Sequence, residues 1–126
     1  MLTLVLPYPP SVNRLYRTIV RGGRALPIKS REHRDYWQAV AARWMAEERQ
    51  GFTTGPVVVN LTLYRPRRTG DIDGPIKTLL DSLNGMAWGD DSQIVEMHVF
   101  RRDDKANPRV EVQVWSLDES GQPVTP

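Results

Sequence analysis

Val57-Val58-Val59-Asn60-Leu61-Thr62-Leu63-Tyr64-Arg65-Pro66 and Gly70-Asp71-Ile72-Asp73-Gly74-Pro75-Ile76-Lys77-Thr78-Leu79-Leu80-Asp81-Ser82-Leu83-Asn84-Gly85 lie three residues apart and carry two different hydrophobic periods. In the first, Val57, Val59, Leu61 and Leu63 alternate with Val58, Asn60 and Thr62, which predicts a half-buried strand stopped by Pro66. In the second, Ile76, Leu79, Leu80 and Leu83 form a helical stripe. Gly74-Pro75 suits its start, because proline loses no bond where the N–H has no partner, and Asn84-Gly85 suits its end.

On the amino-terminal side, Leu2, Leu4 and Leu6 alternate with Thr3 and Val5 up to Pro7, which predicts a strand. Residues 15–20 and 25–28 flank Arg21-Gly22-Gly23-Arg24, a two-residue hairpin turn whose glycines tolerate positive φ. Ser30 is a good N-cap, and Trp37, Val40, Ala41 and Trp44 recur at helical spacing, so a helix is expected over 31–49, ended by Gly51. Its tryptophans share the apolar stripe and are core residues. On the carboxyl-terminal side, 94–100 and 109–115 read as strands.

The order β, hairpin, α, β, α, β, β predicts a single α+β domain over 1–115, a mixed sheet with two main helices packed on it. Residues 116–126 are polar, contain Pro and Gly, and are expected to be disordered.

A chain of 126 residues is long enough for one core without staples. With no cysteine and two histidines, it has no disulfide framework and no thiolate zinc site. The run 2–6 is too short for a signal peptide or a membrane span. A cytoplasmic protein without a membrane partner is expected. His33 is placed on the surface of the early helix and His98 within a strand, and neither is assigned a role.

The net charge of +2 conceals a segregation. Arg14, Arg17, Arg21, Arg24, Lys29, Arg31 and Arg34 face only Glu32, and Arg65, Arg67 and Arg68 form a second basic cluster. Over 71–91 the sign reverses, with Asp71, Asp73, Asp81, Asp90 and Asp91 against Lys77. Arginine supplies 14 of the 17 basic residues, and its planar fork suits bidentate phosphate contact. Basic arms around an acidic patch point to a polyanion such as nucleic acid.

In an extended segment, Asp71 and Asp73 share one face about 7 Å apart at the backbone. Converging carboxylates repel unless a cation sits between them, and hard oxygen ligands select Mg²⁺ or Mn²⁺. A third acid, Asp91 or possible neighbour Asp90, would complete a site for one or two ions, with Lys77 one helical turn beyond Asp73. This set suits phosphodiester hydrolysis: the ion acts as Lewis acid and activates water, while lysine and a helix N-terminus balance transition-state charge. Asp-x-Asp before a helix is equally a common turn with an N-cap.

Leu6-Pro7-Tyr8-Pro9-Pro10-Ser11-Val12-Asn13-Arg14, Asp71-Ile72-Asp73 with Lys77, Leu80-Asp81-Ser82-Leu83-Asn84-Gly85 and Asp90-Asp91-Ser92-Gln93-Ile94, in this order and spacing, resemble the RusA family of Holliday-junction resolvases of prophages and bacteria. The resemblance covers most of the chain. It implies a homodimer that binds four-way DNA junctions and makes paired, symmetric nicks with Mg²⁺ or Mn²⁺ in recombination and repair. It also implies that Asp71, Asp73 and Asp91 are the metal-binding catalytic carboxylates, that Lys77 is the essential lysine, and that Asn13, Arg14, Arg17, Arg21, Arg24, Arg65, Arg67 and Arg68 contact DNA. No small-molecule cofactor is implied.

The family commonly places asparagine after the second aspartate, where this chain has Gly74-Pro75. That departure keeps open a non-catalytic accessory protein of the same fold that binds branched DNA. A small-molecule phosphohydrolase fits the carboxylates but not the arginine arm.

Overall fold

The computed structural model describes residues 1–10, 16–118 and 120–124, with 16–19 and 26–29 described by backbone alone. Strands β1 (Leu2–Pro7), β4 (Val57–Arg65), β5 (Ile94–Asp103) and β6 (Arg109–Ser116) form one sheet in the order β1-β6-β4-β5. β6 runs antiparallel to β1 and β4, whereas β4 and β5 are parallel. Parallel neighbours need a crossover, and helix α2 (Ile76–Leu83) provides it. Strands β2 (Tyr16–Arg21) and β3 (Arg24–Lys29) form a separate two-stranded sheet. The expected α+β domain with a mixed sheet and two helices is thus observed.

Alternation decides which sheet face is covered. Leu2, Leu4 and Leu6 of β1, Val57, Val59, Leu61 and Leu63 of β4, and Val110, Val112 and Val114 of β6 are all buried on one side. Leu79 and Leu83 of α2 and Tyr36 and Val40 of helix α1 (Arg31–Ala46) close over them. Trp37 and Trp44 pack against this core, as expected of the stripe. The Tyr36 hydroxyl donates to the Pro7 carbonyl at 2.9 Å, which ties α1 to the end of β1, and burial pushes this phenol's pKa up.

Several local expectations need correction. Ser30 is the N-cap, accepting from the His33 N–H at 3.2 Å, but α1 stops at Ala46 rather than residue 49. Glu48, at φ 51°, takes the left-handed position there. Gly51 serves a different contact, because a Cβ there would lie 1.9 Å from the Met86 carbonyl oxygen, so only glycine lets this segment run against the loop after α2. His33 is fully buried rather than on the surface, with its ring 4.7 Å from that of Trp37. Ser116 belongs to β6, and the Asp118 carboxylate accepts from the Ser120 and Gln122 N–H groups, so the described part of the tail is a hydrogen-bonded turn. No helix among the described residues is long and apolar enough to cross a membrane.

Candidate active site

The carboxyl ends of β4 and β5 gather the chemistry that α2 introduces. The chain leaves β4 at Arg65, turns at 71–75, and enters α2 at Ile76. Gly74 N–H donates to the Asp71 carbonyl at 3.2 Å and Ile76 N–H to the Asp73 carbonyl at 3.1 Å, two successive i→i+3 bonds. The Asp-x-Asp segment is therefore a turn, not the extended stretch on which the face-sharing expectation rests. Both carboxylates are exposed, and Lys77 lies in the first turn of α2 with its ammonium 3.6 Å from Asp81.

Pro75 is the N-cap residue of α2 and is buried, one position before the first helical residue where the sequence places it. A Cβ at Gly74 would meet only the Asp71 carbonyl oxygen, at 3.4 Å, an ordinary contact. The asparagine that the family prefers there would fit, so the Gly74-Pro75 variation changes a side chain without requiring a different turn.

One side chain joins this turn to the sheet. The Arg101 Nη1 of β5 donates to the Gly70 carbonyl at 2.9 Å. Tyr8, just past β1, lies within electrostatic range of Arg101 and Arg65; its burial raises the phenol pKa and the two guanidinium groups pull it back.

At the opposite, amino end of β5, the segment 88–93 is tied down bond by bond. The Asp90 carboxylate caps a short 3₁₀ helix (Asp91–Gln93) by accepting from Ser92 N–H at 3.0 Å, and these bonds hold its pKa below the usual carboxylate value. Gln93 uses its whole amide: its oxygen accepts from Gly89 and Asp90 N–H, and its nitrogen donates to the Phe52 and Gly55 carbonyls. The buried Trp88 donates its indole N–H to Asp91 Oδ1 at 2.7 Å and orients that carboxylate. Asp90 is thus a cap held through Oδ2, and Asp91 is oriented through Oδ1.

Within one chain these two regions do not meet. Ile94 and Arg101 are seven residues apart on β5, about 23 Å at the usual strand rise. Asp91 precedes the first and Asp71 sits beside the carbonyl that the second holds. Among the described residues, no group of three or more His, Asp or Glu side chains is placed to share a metal ion. A single copy thus places Asp91 at the other end of β5 from Asp71 and Asp73.

The basic residues divide similarly. Arg21 and Arg24 face each other, exposed, across a turn with Gly22 at φ 56° and Gly23 at φ 76°, both left-handed as expected for this hairpin. Arg17 lies in β2 with its side chain outside the described residues, as are Asn13 and Arg14 altogether. Arg65, Arg67 and Arg68 line an open cleft of about 670 Å³ with Pro66, Asp103 and Lys105.

Sequence reasoning does not single out Arg101, Asp103, Trp88 or Gln93. Gln93 lies within the motif 90–94 and Trp88 two residues before it, and the signal they carry is an amide and an indole donor beside two aspartates. Arg101 and Asp103 become visible only once β5 is paired in parallel with β4, where Asp103 stands opposite Arg65.

Known proteins are similar to this chain along most of its length. The family model described as endodeoxyribonuclease RusA matches residues 7–115. The chain is 28% identical over 117 residues to the crossover junction endodeoxyribonuclease RusA of Shigella sonnei strain Ss046, covering 91% of this chain and 94% of that protein. The Escherichia coli K12 protein of the same name gives the same identity and coverage. Crossover junction endodeoxyribonuclease rusA of Enterobacteria phage 82 is 28% identical over 116 residues, 90% of this chain and 93% of the relative. With a match that begins at the end of β1, spans both aspartate regions and ends within β6, this chain belongs to the RusA endodeoxyribonuclease family.

Proposed function

We propose that the chain is a divalent-metal-dependent endodeoxyribonuclease that resolves four-way DNA junctions by paired nicks during recombination and repair. The family match over residues 7–115 carries this reading, because relatives similar to it over nine-tenths of its length bear the name crossover junction endodeoxyribonuclease.

The donor chemistry agrees. Asp71 and Asp73 are exposed, hard oxygen donors, and Mg²⁺ asks for only one or two carboxylates, filling its remaining positions with water and substrate oxygen. Bound there, a divalent ion would polarise the scissile phosphate and acidify water. The chain's own contribution is positional. Asp71 and Asp73 would hold the ion, and the turn that carries them is fixed by its two backbone bonds and by Arg101. Lys77 spends its charge on an exposed ion pair with Asp81, worth little in water, so it is free to turn toward charge developing on the phosphate.

A homodimer supplies what one copy lacks. β5 is an edge strand, with Val95, Met97 and Phe100 exposed along it. Two copies related by a two-fold axis and paired antiparallel along this edge would set the amino end of one β5 beside the carboxyl end of the other. Asp91 of one copy would then stand near Asp71 and Asp73 of the second, twice per dimer, which suits two symmetric cuts.

A synthetic four-way junction incubated with the protein and Mg²⁺ provides the test. Paired nicks are expected, and Asp73→Asn should lower the rate at least about 10³-fold while junction binding persists. Parental cutting by the variant would contradict the assignment. Salt-sensitive binding with no nick under any divalent ion would favour the accessory-protein reading, and nucleotide hydrolysis without DNA cleavage the phosphohydrolase reading.

A further inference from the structure

The cleft between the end of β4 and the turn from β5 to β6 has an internal organisation that a solvated patch does not need. Arg65 and Arg68 both direct their Nε–H onto one carboxylate, that of Asp103, to Oδ1 and Oδ2 respectively, the second at 3.0 Å. A guanidinium carries five N–H donors, and among the described residues each fork has committed only its Nε–H, which leaves the Nη groups for another acceptor. Arg67 and Lys105 line the same cleft, are exposed, and have no ion-pair partner among the described residues. Four cations against one anion leave the cleft at +3. Asp103 itself is held charged, because the Arg65 hydrogen bond keeps its pKa below the usual carboxylate value.

Size and chemistry agree on the ligand. A cleft of about 670 Å³ is roughly 9 Å across, room for two neighbouring phosphates of one strand. Planar forks with free Nη groups match phosphate oxygens in pairs. The cleft has no aromatic wall for a base to stack on, since its lining is four cations, Pro66 and Asp103.

We infer that this cleft is a seat for two successive phosphates of a DNA duplex arm, with Asp103 as the positioning residue that presents Arg65 and Arg68. This rests on the DNA-directed reading above and adds a residue of the opposite charge to the DNA-binding surface. An acid in a DNA interface ordinarily weakens binding; here it holds two forks open.

Junction binding by fluorescence anisotropy, in EDTA at several KCl concentrations, tests the seat apart from cleavage. Arg67→Ala combined with Lys105→Ala should make the slope of log K against log salt shallower by about 1 to 2, close to 0.9 for each phosphate no longer neutralised. Both residues are exposed, so the variant folds. Asp103→Ala should weaken binding about threefold or more although it makes the protein more positive. A parental slope in the double variant, or tighter binding by Asp103→Ala, would overturn the seat or the positioning role respectively. Inorganic phosphate separates the two sources of the ligand: a 15-bp duplex should shift the Arg65 and Arg68 Nε–H NMR resonances at a total phosphate concentration where free phosphate does not. Equal shifts with free phosphate would mark a simple anion site and overturn the duplex seat. A parental protein that binds junctions with these effects but never nicks them would contradict the nuclease reading and leave the seat standing.

Discussion

The two ends of the β4–α2–β5 crossover hold aspartates by opposite means. At the carboxyl end, the Asp71–Asp73 turn is secured by two backbone bonds and one guanidinium, through carbonyl groups rather than through the two carboxylates. At the amino end, the carboxylates of 90 and 91 are each held by a hydrogen bond, through Oδ2 and Oδ1 respectively, and the amide of Gln93 is fully engaged. A side chain that must accept a metal and a moving phosphate has to be left unspent, whereas one that completes a distant partner's site has to be aimed in advance. On the proposed reading, the difference separates two carboxylates left unspent from one that is oriented.

The contrast breaks first at Gln93. Gln93→Ala removes four hydrogen bonds, three of them exposed and the one to the Phe52 carbonyl half-buried, that together tie the loop to Gly89, Asp90, Phe52 and Gly55. Chemical unfolding should show a loss of about 2 to 3 kcal/mol, and a loss below about 0.5 kcal/mol on the same scale would mean that the loop does not depend on this residue.

Arg101 is the corresponding tether at the other end. Arg101→Met keeps the packing of the stem but frees the Gly70 carbonyl, and should lower junction cleavage about tenfold with the Mg²⁺ midpoint shifted upward, while global stability changes little because the bond is exposed. An unchanged Mg²⁺ midpoint would remove Arg101 from the site.

Acid produces the smallest effect. The Asp90 pKa is lowered in the folded protein by its bonds to Ser92, so the folded state binds fewer protons than the unfolded state just below about pH 4. The cap's contribution is fully present above that pH and is lost as pH falls through the native value. The protection factor of the Ser92 amide, its exchange rate taken relative to the intrinsic rate at each pH, should therefore fall below about pH 4, while the bonds of the Asp71 turn, which run to carbonyls, keep their protection. Simultaneous loss at both ends would show that they are not held differently.

Most of the fold is legible in the sequence because period two and the helical stripe leave little freedom at 57–63 and 76–83, and because Gly22-Gly23 admits the left-handed pair of a tight hairpin. His33 is misplaced by its polarity, although it stands four and seven residues before Trp37 and Val40, on the stripe's own face. The Asp-x-Asp conformation is not legible, since the same residues suit an extended segment and a turn, and two i→i+3 bonds decide between them. The separation of Asp91 from Asp71 follows from topology: a helical crossover between parallel strands necessarily starts at one end of the sheet and finishes at the other. Sequence adjacency of the motifs conceals that distance.

The measurement that tests the shared site most directly mixes two inactive variants. Asp73→Asn copies and Asp91→Asn copies, each unable to cut alone, are co-folded and given a four-way junction with Mg²⁺. If Asp91 acts on the partner's Asp71 and Asp73, every mixed dimer contains one intact site, and single nicks should reappear at a substantial fraction of the parental rate. If all three carboxylates act within one chain, both sites of the mixed dimer are defective, and a mixture as inactive as its components would contradict the shared site.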